Sequence, residues 1–367
     1  MASEAIGTRH ISILSSLLLS PRDSEDTPET RADRGELVLQ FGEAELAQLL
    51  DLADRHHVIV RALEVLCGLP GMSKRPDKLE WALAALDRQR ARIANALSSL
   101  QVICATLEKH GCPTIVIKSL DHWPDLGSDL DLFTTAKPAD VLAAMSREFE
   151  AEIAPRSWGD RLAGKWNFHV PCLPELVEIH VGRLGQTGEQ VAIARNLMAY
   201  STPVQLGSHC FRLPAAEDRI LISTLQRMYR HFYLRLCDVV DIARLLDGNL
   251  VDYAALRRSA QEAGLWRGVA AYLLVVSDYV AKYRGKGIEL PEPVVRAARF
   301  GGNEVHFKRG FLRIPITPHA MGFYAAELAR LARNGELENT LRLSLLPGLA
   351  TAAALEQKFT GSDKGIW

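Results

Sequence analysis

The chain reads as a mixed α/β (α+β) protein, a small mixed β-sheet flanked by N- and C-terminal helical regions. Three observations predict it. Apolar residues recur at three- and four-residue spacing up to residue 110, β-branched and period-two runs replace them from Gly111, and helical spacing returns from Ala215. The expected division is a helical lead-in over 1–110, a sheet-bearing core over 111–200, and a helical region over 201–367 that begins with a β-hairpin.

The opening "MASEAIGTRHISILSSLLLSPRDSED" sets a short apolar run behind a basic pair with no A-x-A-like site after it, so a first helix is expected rather than a signal peptide. "LDLADRHHVIVRALEVL" and "EWALAALDRQRARIANALSSLQVICATLEKHG" carry the helical spacing, and Lys109, His110 and Gly111 close the second. "SPRDSEDTPETRADRG" and "GLPGMSKRPDK" read as polar breaks. "TIVIK", Thr114 to Lys118, is a β-branched run suited to a buried strand.

After "SDLDLF" and a helix over "KPADVLAAMSREFE" come two alternating runs. In "KWNFHV" the residues Lys165, Asn167 and His169 share one face; in "LVEIHV" Glu178 and His180 do, because successive strand side chains point to opposite sides. "TPVQLGSHCFRL" predicts a hairpin around Gly207-Ser208. "RMYRHFYLRLCDVVDIARLL" reads as one helix, with His231, Arg235 and Asp238 on one stripe and Leu225, Met228, Phe232, Leu236 and Val239 on the core stripe. Helical spacing continues near 253–284 and 320–356, a loop is expected over 291–303, and "TGSDKGIW" reads as a frayed tail.

Net charge is −1, from 43 Lys and Arg against 44 Asp and Glu, which gives no support for gripping duplex nucleic acid; no DNA partner is expected. The six cysteines lack any C-x-x-C pair and read as reduced thiols rather than a disulfide framework or a zinc site. The longest apolar stretch, "GVAAYLLVV", is too short for a bilayer, so no membrane partner and a cytoplasmic location are expected. No phosphate-binding P-loop, dinucleotide fingerprint, H-E-x-x-H or G-x-S-x-G occurs.

What does stand out is "GSDLDLF". Asp129 and Asp131, two apart on a strand, project from one face, where two carboxylates repel unless a cation sits between them. Magnesium is the natural partner, a hard ion that shares oxygen ligands with phosphates. Glu178, on the polar face of a later strand, would be a third ligand. The competing explanation of a lone D-x-D is a turn with solvated acids.

The order of these features resembles the nucleotidyltransferase superfamily that includes DNA polymerase beta and the kanamycin nucleotidyltransferases: an apolar strand, a turn with serine, about ten residues, an aspartate pair, then an acid on a later strand. More narrowly it resembles a bacterial branch of uncharacterised nucleotidyltransferases, with a helical lead-in, a strand ending in lysine, a "VEIH" strand and a phrase like "RLCDVVDIARLL". The resemblance implies a nucleotidyltransferase core and an enzyme that moves a nucleoside monophosphate from a nucleoside triphosphate to an acceptor hydroxyl or phosphate.

It further implies Mg²⁺ on Asp129, Asp131 and Glu178, with room for two ions and with Mn²⁺ able to substitute. Lys118, Ser119 and Ser128 would bind the nucleotide. His180, His231, Arg235 and Asp238 would orient the substrate, against the alternatives of a structural histidine at 180 and an Arg235–Asp238 pair within the helix. Arg161, Lys165 and Arg183 read as a solvated basic rim. The turn here is Lys118-Ser119-Leu120, without the superfamily's glycine. A small-molecule acceptor is favoured over a protein or RNA target of a toxin-like relative. A non-catalytic nucleotide-binding or scaffold protein is the remaining alternative.

Overall fold

A computed structural model describes residues 2–20, 31–298, 305–314, 316–349 and 351. Five helices lead in: α1 (Ala2–Leu19), α2 (Arg31–Leu39), α3 (Glu43–Arg55), α4 (Ile59–Cys67) and α5 (Pro76–Lys109). Proline at the first position of α5 has no N–H to lose, and Gly111 at φ 75° ends it. The polar break expected up to Gly35 is shorter than its composition suggests, since Arg31–Gly35 already belongs to α2. Among the described residues no helix is long and apolar enough to cross a membrane.

Next come β1 (Thr114–Val116), β2 (Asp129–Thr134), α6 (Pro138–Phe149), β3 (Glu152–Ile153), α7 (Trp158–Ala163), β4 (Lys165–His169) and β5 (Leu176–Val181). They form a mixed five-stranded sheet in the order β1-β2-β5-β4-β3. β2 and β5 run parallel, and their register sets Asp131 directly beside Glu178. β4 lies antiparallel to β5 with Asn167 opposite Glu178. On the other face Leu130, Leu132, Val177 and Ile179 are fully buried, each contributing about 2 kcal/mol of apolar burial. That alternation is why the acids share the opposite face.

The chain then forms α8 (Val191–Tyr200), the hairpin of β6 (Thr202–Leu206) and β7 (His209–Leu213), and α9 (Ala216–Thr224). The helix expected through Leu246 is broken. A π-turn over Leu225–His231 ends at Phe232, whose φ of 56° is left-handed, and Tyr233–Leu234 becomes β8 before α10 (Leu236–Asp247) starts. β8 escapes the helix to pair with β10 (Phe311–Arg313), itself paired with β9 (His306–Lys308) in a second small sheet that spacing alone does not reveal. Asp238 makes the restart stable by accepting the Arg235 backbone N–H at 2.6 Å.

Helices α11 (Tyr253–Ala263), α12 (Trp266–Arg284), α13 (Glu292–Ala297), α14 (Thr317–Arg333) and α15 (Leu337–Ser344) complete the described chain. Part of the loop expected over 291–303 is therefore helix, and the tail "TGSDKGIW" lies outside the described residues. Helix α1 packs on α12: the Ser15 and Tyr279 hydroxyls are 2.8 Å apart, and Arg284 donates to the Leu19 carbonyl at 2.9 Å.

A buried ion network binds α4, the loop before β2, and α10. Arg61 sits 2.5 Å from Asp125 and 2.6 Å from Asp241, and it donates to the His57 carbonyl at 3.0 Å. Asp125 also accepts the Val60 N–H at 2.5 Å. Removing one partner strands a buried charge, so Asp125→Ala should cost about 3–5 kcal/mol in urea unfolding.

His56 adds a second fastening. Its Nδ1 accepts the Leu236 N–H at 2.9 Å, so Nε2 carries the proton and donates to the Gly310 carbonyl at 3.0 Å. Both ring nitrogens are satisfied only when neutral, and burial brings the ring down to about 4. Between pH 6.5 and 4 the unfolded chain takes up a proton that the folded one refuses, so stability present above about 6.5 is lost as pH falls, by about 3 kcal/mol across the window. Urea midpoints measured above and below that window should separate in the wild type, and the part due to this ring should vanish in His56→Gln.

Candidate active site

The loop before β2 is pinned from α5. Arg92 donates to the Leu126 carbonyl at 3.1 Å and to the Gly127 carbonyl at 3.4 Å, and it pairs with Glu175 at 2.7 Å. One guanidinium thus holds the entries to both parallel strands level. Asp129, Asp131 and Glu178 then emerge on the floor of a cavity of about 220 Å³.

The acids are compensated by cations that reach over the strands. Lys118 bridges Asp131 and Glu178, lying 3.2 Å from the latter. Lys165 contacts the other Glu178 oxygen at 2.6 Å and Asp160 at 3.4 Å. It is buried, so the solvated basic rim expected for it is wrong: its ammonium is drawn onto Glu178 of β5 and Asp160 rather than out to solvent. Arg183 pairs instead with Glu338 at 2.7 Å, and exposed Arg161 stacks over Trp158.

These contacts divide the carboxylates into unequal groups. Burial pushes Asp131 up to about 7, with Lys118 opposing and Glu178 reinforcing. Burial acts the same way on Glu178, but Lys118 and Lys165 outweigh it and hold the carboxyl well below the usual range. Asp129 is raised, first by burial and then by Glu178. His180 is lowered to about 4 by burial and by Lys118; its Nε2 lies 2.7 Å from Glu178, and its buried Nδ1 has no partner.

The turn residues are arranged differently from the roles the resemblance implies. Ser119 Oγ accepts the Asp131 N–H at 2.7 Å and lies 3.0 Å from the Asp129 carbonyl, while its own N–H donates to the Ile117 carbonyl at 2.6 Å. The hydroxyl is engaged in holding β2 and the N–H in closing the turn, which leaves neither free for a phosphate. Ser128 is exposed at the cavity mouth. His231 and Arg235 line the cavity, but the break at Phe232 takes Asp238 off their stripe. Asp238 faces inward, 2.8 Å from Arg227, and does not line the cavity.

The lining also includes Arg227, Arg230, Arg235, His231 and Tyr233, together with His57 and His122. Of these, Arg227, Arg230, Tyr233, His57 and His122 have no periodic signal in sequence. Lys165 did have one, its place on the same face as Asn167. Arg227 is 1% exposed, and among the described residues neither its Nη1 nor the Nε of part-buried Arg235 has a hydrogen-bond partner. Orphaned cationic donors facing a cavity call for an anion.

No protein-family model, curated protein or solved structure matches the chain. The chemistry of the site must therefore come from its own atoms.

A divalent cation fits the floor. Asp131, Glu178 and His180 hold ligand atoms within 4.8 Å of one another, and Asp129 lies on the same strand face two residues from Asp131. The Lys118 ammonium marks where positive charge is needed, in the manner of a stand-in ion. Two close acids without it would repel. Lys118→Met should therefore lower the melting temperature in chelator. Millimolar Mg²⁺ should restore most of that loss, with a smaller effect on the wild type; an equal Mg²⁺ response in both would show that the floor does not take the ion.

Proposed function

We propose that the protein is a Mg²⁺-dependent nucleotidyltransferase with a polymerase-beta-type core, transferring a nucleoside monophosphate from a nucleoside triphosphate to a small acceptor. The observation that carries this is the pairing of Asp131 with Glu178 in register, two residues from Asp129, beneath a wall of arginines with unpaired donors. Acids alone would suit many cations, and arginines alone many anions. Both in the lining of one cavity suit a polyphosphate–metal pair.

Asp129, Asp131 and Glu178 would hold Mg²⁺, which when bound supplies charge neutralisation at the phosphates. Arg227, Arg230 and Arg235 orient the triphosphate through its β- and γ-oxygens. The acceptor oxygen bonds to the α-phosphorus as the bond to the bridging oxygen breaks, and pyrophosphate departs along the arginine wall. Asp129, which carries no ion pair among the described residues, takes the acceptor's proton. Tyr233, stacked on Phe311 at 4.2 Å between centroids, offers a fixed aromatic edge to the nucleoside.

A second reading, nucleotide binding without turnover, is favoured by the engagement of both Ser119 donors. Incubation with each α-labelled triphosphate, Mg²⁺ and host-cell extract separates the two. Label should pass to a small molecule and fall at least about 100-fold in Asp131→Asn and in Glu178→Gln, a typical loss when one preorganised electrostatic group is removed. Retained label in those variants would refute the assignment, and tight nucleotide binding with no transfer would establish the second reading. Label on protein or RNA would move the acceptor to a macromolecule.

A further inference from the structure

We infer that His57, His122 and Cys237 form a zinc site of their own at the side of the cavity, separate from the carboxylate floor. The three contribute one ligand atom each, all within 4.8 Å of one another. They come from the turn before α4, the loop before β2 and the first turn of α10, too far apart in sequence for any cysteine spacing to reveal. One thiolate with two imidazoles is a borderline-soft donor set that selects zinc over magnesium.

The geometry supports coordination rather than a chance cluster. His122 Nε2 lies 3.8 Å from Cys237 Sγ. A tetrahedral zinc with bonds of ~2.0–2.1 Å to nitrogen and ~2.3 Å to sulfur separates those ligands by ~3.6 Å. His122 Nδ1 is 2.5 Å from Asp241, which takes its N–H, so a metal-bound ring would present its Nε2 lone pair on the side of the sulfur. Asp241 is in turn held 2.6 Å from Arg61. An imidazole backed by a carboxylate is the usual support of a zinc ligand.

His57 is the less explained member. Its φ of 51° is left-handed for a residue with a side chain, and its ring packs so close to Gly127 that a Cβ there would come within 2.8 Å. Its buried Nδ1 has no partner. Backbone strain and a glycine hold this ring in place, and among the described residues no hydrogen bond to its Nδ1 accounts for its position. His57 and His122 both line the cavity while Cys237 lies behind them. Three protein ligands therefore leave the fourth position open to the cavity, the arrangement of a zinc that exchanges a ligand. Arg227 and Arg235 add positive charge nearby, which Asp238 and Asp241 counter.

The test is titration of reduced, metal-stripped full-length protein with Co²⁺ alone, read by the thiolate-to-cobalt charge-transfer band, followed by Zn²⁺ displacement. One Co²⁺ per chain is expected, lost from the band on adding Zn²⁺ and absent in Cys237→Ser. His57→Gln, checked for folding by circular dichroism, should weaken Co²⁺ by at least the roughly tenfold that losing even a supporting partner costs. No band, or an equal band in Cys237→Ser from the exposed Cys172 and Cys210, would overturn the assignment and leave only a His122–Cys237 hydrogen bond. If Cys237→Ser does not fold, unchanged Co²⁺ affinity in His57→Gln overturns it as well. No nucleotide enters the experiment, so its result is independent of the transferase proposal.

Discussion

The structure depends on a single guanidinium placed between two acids where no water reaches. Arg61, Asp125 and Asp241 are each under a tenth exposed, and they belong to segments before, within and after the sheet-bearing region of the chain. Desolvating such groups costs several kcal/mol per ion, which their mutual attraction repays only when the geometry is good. An apolar trio could supply equal stability. What it could not supply is direction: the network fixes the rotation of α4 against α10 and holds the loop that leads into β2. The arginines and the acids line one cavity built on the elements that these three groups tie together.

The cavity's electrostatics follow from that arrangement. Its floor carries three carboxylates against two lysines, and its wall carries cationic donors without partners. A buried donor left unpaired costs about 1–3 kcal/mol. The free protein carries that cost on the wall and a buried carboxylate on the floor, where burial, reinforced by Glu178, pushes Asp131 up to about 7. A ligand with phosphates on one side and a dication on the other would relieve both at once. Either half alone would relieve less, which is the physical basis for expecting metal and nucleotide to bind cooperatively.

The parts legible in the sequence are those written in short periods. Alternation located β2, β4 and β5, and it put Asp129, Asp131 and Glu178 on polar faces. Strand pairing is not a local property, so nothing in the sequence stated that Asp131 would be level with Glu178; the Arg92 clamp does that. The helix expected across Phe232 failed because helical spacing on both sides is in phase, while the break is set by a distant strand, β10, that captures Tyr233 and Leu234. Lys165 looked like a solvated lysine because burial of a long polar side chain depends on what its neighbours contribute. Arg61 and His57 are silent for the same reason: their partners lie far along the chain.

The turn at Lys118 shows how a departure from a familiar pattern can be a substitution of mechanism. Its φ of 60° and ψ of −60°, with the Ser119 N–H bonded to the Ile117 carbonyl, make a strained γ-turn. Glycine would adopt it more easily, since a side chain in such a region costs about 1–3 kcal/mol. Lysine recovers that cost through its ion pairs with Asp131 and Glu178. The exchange removes a backbone amide from the set that could touch phosphate and adds a movable ammonium at the floor. Under the proposed reading, an incoming dication takes over the carboxylates and frees that ammonium to meet the phosphates, with Arg227, Arg230 and Arg235 supplying the remaining contacts. The glycine's absence then argues for a side-chain cradle rather than for a lost one.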